Sequence, residues 1–193
     1  MYNQYPKSLG FFLNFFFAPL KPEFPYVCMY RILFADLDGT LIQTKTGAKF
    51  AKGPWDWILT PGIIEAIDRY RPTHLHIVSN QGGIARRLVR EDQWIAKVGR
   101  ILEKIQSGLS HCAPECSYDY CKTEDKDCQD RKPNPGMIIR FLAGIPEEEI
   151  ESILMIGNAS GKPGDFSDSD RMAAENAEIP YLDITEFLET TWD

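Results

Sequence analysis

Short apolar runs closed by polar or glycine-rich turns recur along this chain. Residues 31–35 and 153–156 read as strands buried on both faces, because their apolar side chains follow one another without a polar break. Residues 74–78 form a second strand. There His74 and His76 alternate with Leu75 and Ile77, so the two histidines share a sheet face and are expected to be packed rather than catalytic. Shorter strands are expected over 117–121 and 181–182. Helical spacing fills the intervals. Ile63, Ile64 and Ile67 predict a helix over 63–71, opened by Pro61-Gly62 and stopped by Pro72. Leu88, Trp94, Ile95, Val98, Ile101, Leu102 and Ile105 predict a long helix over 84–107 with all seven in the core. Further helices are expected over 137–143, 170–176 and 184–188. Strands alternating with helices predict an α/β fold, a doubly wound parallel sheet with its site at the C-terminal edge.

Residues 41–59 break the alternation and are expected to form an excursion with a small hairpin. Residues 1–28 are expected to be a loosely structured extension to a single domain over 29–193. Their aromatic run over 9–18 is too short to span a bilayer. Lys7 precedes that run, but no small-x-small cleavage site follows it. No membrane association is expected.

Composition changes this picture little. The 193 residues are 44% hydrophobic and 25% charged, as in ordinary globular proteins. The net charge of −7 argues against a broad basic face for gripping duplex nucleic acid, though not against contact with one strand end. Five cysteines, four of them within one loop, do not form a secreted disulfide framework, so a reducing, cytoplasmic location is expected.

The chemistry gathers where strands end. Asp36 and Asp38 follow the first strand and leave it on one side, and Gly39 permits a tight turn and close ligand approach. Such a pair suits a hard cation and a phosphate, one carboxylate attacking and the other handling a proton. Ser79-Asn80-Gln81-Gly82-Gly83 closes the second strand, where a hydroxyl and backbone N–H groups suit phosphate oxygens or, equally, a helix cap. Arg86 is placed to reach a substrate phosphate, whereas Arg87 and Arg90 are expected on the surface. Lys132, held in Lys-Pro-Asn-Pro-Gly, can act as a fixed point charge against developing negative charge. Lys45, Lys49 and Lys52 are expected at the mouth of the site. Cys112, Cys116, Cys121 and Cys128, with His111 alongside, are a candidate tetrahedral zinc site, although their spacing lacks a Cys-x2-Cys pair.

Asp36-Leu37-Asp38-Gly39-Thr40-Leu41 resembles the first motif of the haloacid dehalogenase superfamily, mostly magnesium-dependent phosphotransferases working through an aspartyl-phosphate. Ser79 and Lys132 match its second and third motifs in order. No insert is long enough for a bulky cap. Within the superfamily, Thr46-Gly47-x-x-Phe50, Gly53-Pro54, Asp56-Trp57, Arg131-Lys132-Pro133 with Gly136-Met137, and Asp165-Phe166-Ser167 with Asp170-Arg171 are very similar to the phosphatase domain of polynucleotide kinase 3′-phosphatase. That resemblance covers residues 30–190. It implies a DNA-repair phosphatase removing 3′-phosphate from DNA or RNA ends. Asp36 would be the nucleophile and Asp38 the acid and base. Thr40, Ser79, Asn80 and Lys132 would contact phosphate. Magnesium would be held by Asp36, the Asp38 carbonyl and Asn158, with Asp165 or Asp170 in support.

The histidinol-phosphate and heptose-bisphosphate phosphatases share Ser79 to Arg86 and Arg-Lys-Pro-x-Pro-Gly-Met, and define the alternative of a small phosphate ester as substrate. Their usual Asp-Arg-Asp-Gly-Thr is contradicted by Leu37, and only Cys121 and Cys128 fall where their zinc loop has ligands. Both groups usually carry aspartate where this chain has Asn158. A third reading is therefore a catalytically impaired binding module. No kinase activity is expected, because the chain has no Gly-x4-Gly-Lys-Ser/Thr loop.

Overall fold

A computed structural model describes residues 29–192; the expectations for residues 1–28 lie outside it. The first strand, β1 (Tyr30–Ala35), is the middle of a five-stranded parallel sheet. It pairs with β4 (His74–Asn80) on one side and β6 (Ile150–Gly157) on the other. Beyond these lie β5 (Glu115–Cys121) and β7 (Tyr181–Asp183), giving the order β5-β4-β1-β6-β7. Ile32, Leu33, Phe34 and Ala35 are all fully buried. A central strand of a parallel sheet is covered on both faces, and this run is apolar for that reason.

Alternation along the strands divides the core. Leu33, Ala35, Leu75, Ile77, Leu154 and Ile156 pack under α1 (Ile63–Tyr70), α2 (Glu91–Gly108) and α5 (Ile184–Glu189). Ile32, Phe34, Val78 and Met155 pack under α3 (Gly136–Leu142) and α4 (Ser169–Asn176). The sheet is thus doubly wound, as expected. The chain departs from β1 in opposite directions along the sheet, so the tips of β1 and β6 flank the crevice where α/β sheets bind ligands. His76 packs tilted on Phe141 with ring centroids 4.4 Å apart, and His74 lies 6.2 Å from the same ring, so both face α3. Burial pushes the His76 imidazole down to about 4.

The long helix begins seven residues later than its periodicity suggested. Residues 81–90 are turns, with Arg87 in a left-handed conformation at φ 57°. The helix starts where Glu91 and Asp92 place negative charge on its first turn. Leu88 is 71% exposed and Ile95 39%, so neither belongs to the core as expected.

The excursion after β1 is a hairpin, β2 (Ile42–Gln43) against β3 (Ile58–Leu59), with a long loop between them. Asp56 organises that loop. Its buried carboxylate accepts bonds from Lys52 N (2.8 Å), Thr46 N (2.9 Å) and Thr46 Oγ1 (2.8 Å). These donors, the Lys52 amide foremost, hold it below the usual carboxylate range. The stabilisation is full above the unfolded carboxylate value of about 3.9 and is lost as pH falls through the lower folded value. Asp56→Ala is therefore expected to lower stability at neutral pH, with the gap from wild type narrowing in acid as the carboxylate becomes protonated in the folded protein. Urea denaturation at neutral and at acid pH tests this; an undiminished gap in acid would assign the loss to packing.

Candidate active site

Asp36 is the first residue past β1, and its N–H donates to Ile156 O at 3.0 Å, continuing the sheet register by one step. That bond fixes a carboxylate at the tip of the central strand. Lys132 arrives from the segment after β5, its ammonium 2.7 Å from Asp36 Oδ1 and 2.7 Å from Asp170 Oδ1. All three groups are buried. Asp170, at the start of α4, also accepts from Ala159 N at 3.0 Å. Gly157 makes room for it: a Cβ there would stand 2.4 Å from Asp170 Oδ2.

The electrostatics follow from two carboxylates sharing one ammonium. Burial pushes Asp36 up to about 7 against the pull of Lys132, and Asp170 and Asp38 add to the rise. Burial alone would lower the Lys132 ammonium, but Asp170 and Asp36 outweigh it and raise it. The cluster is short of positive charge by one unit, the condition that a cation or a cation-bound phosphate relieves.

Thr40 Oγ1 donates to Asp36 Oδ2 at 3.3 Å and lies 3.5 Å from Asn158 Oδ1. Asn158, just past β6, reaches this position because Gly39 has no side chain. A Cβ at Gly39, whose φ is 95°, would stand 2.3 Å from the Asn158 amide nitrogen. Carboxylate, amide oxygen and strand-tip carbonyl are hard oxygen donors, and a magnesium ion needs only one or two protein carboxylates beside phosphate and water. The donor set of Asp36, the Asp38 carbonyl and Asn158 therefore fits such an ion. Among the described residues no three His, Cys, Asp or Glu side chains gather as a metal site, so an ion here would draw on the amide and main-chain oxygens.

Asp165 and Asp170 already have hydrogen-bond partners of their own. Asp165 Oδ2 accepts from Ser160 N (3.2 Å), Ser160 Oγ (2.6 Å) and Lys162 N (2.9 Å), closing its own loop. Both Asp170 oxygens are engaged by Lys132 and Ala159.

On the other flank, Ser79 is the last residue but one of β4 and its Oγ accepts from Gln81 Nε2 at 2.9 Å. The same amide donates to Asp38 Oδ2 at 2.8 Å. Asp38 Oδ1 meets Lys97 Nζ of α2 at 3.1 Å. Gln81 and Lys97 were not singled out by motif. Lys97 did carry a signal: it lies on the apolar stripe of Trp94, Val98 and Ile101 yet is charged. Asn80 bonds the backbone of Lys132 twice, donating to its O (2.9 Å) and accepting from its N (3.0 Å). It braces the lysine's backbone rather than phosphate. Thr40 is fully buried and serves to link Asp36 with Asn158. Arg86 pairs with Glu124 at 3.3 Å instead of reaching inward.

The four cysteines do not form a zinc site. Cys116 and Cys121 stand near opposite ends of β5, about 17 Å apart at strand rise. Cys121 and Cys128 alone approach, with sulfurs 3.7 Å apart, while Cys112 is exposed and His111 pairs with Asp68 at 3.0 Å.

Residues 31–188 match the family model described as polynucleotide kinase 3 phosphatase. The bifunctional polynucleotide phosphatase/kinase of Schizosaccharomyces pombe is 33% identical over 162 residues, which cover 82% of this chain. The chain spans only 37% of that relative's length. A D-glycero-β-D-manno-heptose-1,7-bisphosphate 7-phosphatase of Bordetella bronchiseptica is 31% identical over 127 residues, 60% of this chain and 68% of the relative. The crystal structure of D,D-heptose 1,7-bisphosphate phosphatase from B. bronchiseptica, complexed with magnesium and phosphate, superposes with a TM-score of 0.58. It covers 79% of this chain and 78% of that one, and at 22% identity the likeness is one of fold.

The Asp36–Lys132–Asp170 cluster generates a stability test. Lys132→Met leaves two buried carboxylates face to face and is expected to cost roughly 3–5 kcal/mol in urea denaturation. Adding Asp170→Asn should recover part of that loss, because the second uncompensated charge is removed; independent, additive effects would show that the three groups do not act as a unit.

Proposed function

The chain belongs to the polynucleotide kinase 3 phosphatase family, as a phosphatase of the haloacid dehalogenase type, and on that premise we propose that it removes phosphate from the 3′ end of a nucleic-acid strand. Asp36 attacks phosphorus in line. A bond forms from its carboxylate oxygen to phosphorus as the bond to the leaving oxygen breaks, and the electron pair goes to that oxygen. Asp38 gives the leaving oxygen a proton, then takes one from the water that hydrolyses the aspartyl-phosphate. Lys132 and Ser79 meet the phosphoryl oxygens, the lysine also holding Asp36 in place. Asp36, the Asp38 carbonyl and Asn158 would hold a magnesium ion, whose charge neutralises the phosphoryl group when bound.

One observation favours a strand end over a small sugar phosphate. Phe50, in the hairpin loop, is 72% exposed, and Phe166, in the loop after β6, is 77% exposed. Lys49 Nζ lies 5.7 Å from the first ring centroid and 5.1 Å from the second. Two loops that leave the strand-tip edge thus present aromatic faces around one ammonium. Exposed rings beside a cation suit stacked bases and a phosphodiester, whereas a sugar bisphosphate gains little from them. This local pairing overrides the acidic balance of the whole chain.

A 3′-phosphorylated oligonucleotide, assayed with magnesium beside heptose bisphosphate and histidinol phosphate, should be the preferred substrate; preference for either metabolite overturns the reading. Phe166→Ala should raise KM for the oligonucleotide about tenfold, the value of one base stack, without affecting p-nitrophenyl phosphate. Asp36→Asn should abolish turnover with the fold intact by circular dichroism, and appreciable residual hydrolysis would rule out the covalent route. Absence of magnesium-dependent hydrolysis of any phosphomonoester would favour a binding module.

A further inference from the structure

We infer that Lys97 of α2 is a positioning residue for Asp38, fixing the orientation in which that carboxylate exchanges its proton; the inference rests on the phosphatase reading above. Lysine side chains are rarely buried without a partner. That of Lys97 is only 8% exposed, and its ammonium lies 3.1 Å from Asp38 Oδ1. Among the described residues no other carboxylate is within ion-pair distance of it. The opposite oxygen of Asp38 accepts from Gln81 Nε2 at 2.8 Å. One donor comes from the helix and one from the turn after β4, so the carboxylate is pinned at both oxygens. Each oxygen keeps a lone pair that is aimed by this clamp. Asp38 itself is half-exposed on the strand-tip loop. Acid–base catalysis depends on such alignment within a fraction of an ångström.

The competing account is packing alone. Lys97 shares its helix face with Trp94, Val98 and Ile101, and its stem fills space beside them while the charge escapes to the crevice. Lys97→Met separates the two, because it keeps the stem and removes the donor.

The experiment uses the full chain with magnesium and a series of phosphate monoesters, from p-nitrophenyl phosphate through phenyl phosphate to an alkyl phosphate. The kcat/KM value counts events up to departure of the alcohol. Nitrophenolate leaves without a proton, while phenolate and alkoxide need one. Lys97→Met is expected to stay within about twofold of wild type on p-nitrophenyl phosphate and to lose about tenfold or more on the alkyl ester, a fraction of what general acid catalysis supplies. Lys97→Arg should recover most of the loss. A uniform change across the series, or none, overturns the inference. Asp38→Asn serves as the reference. If it shows no dependence on the leaving group, the assignment of Asp38 as the acid has failed, and the role of Lys97 with it. If it does and Lys97→Met does not, only the role of Lys97 is overturned. Failure of the wild type to hydrolyse any ester in the series overturns both.

Discussion

The structure turns on a single ammonium between two carboxylates. Lys132 joins Asp36, at the tip of the central strand, to Asp170, at the start of the helix after β6. The three are far apart in sequence and meet only through the fold. The approach of Asp170 depends on a glycine at 157, and the lysine's backbone is held by the amide of Asn80 at the end of β4. Three strand tips are therefore tied together through one buried charge. Burial strengthens the attraction but exacts a large desolvation cost, so the damaging loss is that of the ammonium, which leaves two carboxylates uncompensated.

That same shortage of positive charge explains how a stable fold carries a reactive site. An isolated carboxylate in the core would be neutralised, and a fully matched one would be inert. Asp36 lies between the two: its ammonium partner is shared, and among the described residues its second oxygen is hydrogen-bonded by the hydroxyl of Thr40 alone, at 3.3 Å. Under the proposed function, such surroundings would be complementary to a phosphate that brings its own counterion.

The central strands and the motif residues at their tips were legible because strand-tip chemistry is local. Asp36 and Asp38 follow an apolar run, Ser79 follows the next, and Asn158 follows a third, so alternation of strand and helix was enough to bring them to one edge. What was not legible depends on contacts across the fold. Gln81 reads as a turn residue until Asp38 is seen within its reach. Periodicity placed Leu88 in a helix that a left-handed Arg87 forbids, and it placed Ile95 in the core although it lies beyond the edge of the buried stripe. Cysteine spacing suggested zinc, but spacing in sequence cannot reveal that one pair is separated by the length of a strand. Asn80, Asp165 and Asp170 are polar groups at motif positions whose hydrogen-bonding capacity is used to hold the frame, which motif order alone does not distinguish from contact with a ligand.

The contact between Gly39 and Asn158 has an evolutionary consequence. The amide sits where a side chain at 39 would begin, so the fit is one of shape, and any enlargement at 39 must displace its neighbour. Aspartate has the same shape as asparagine. A lineage can therefore switch the formal charge beside Asp36 by one unit through a single replacement at 158, without rebuilding the surrounding packing, and under the proposed function that replacement would reset the demand for divalent ions as a heritable setting.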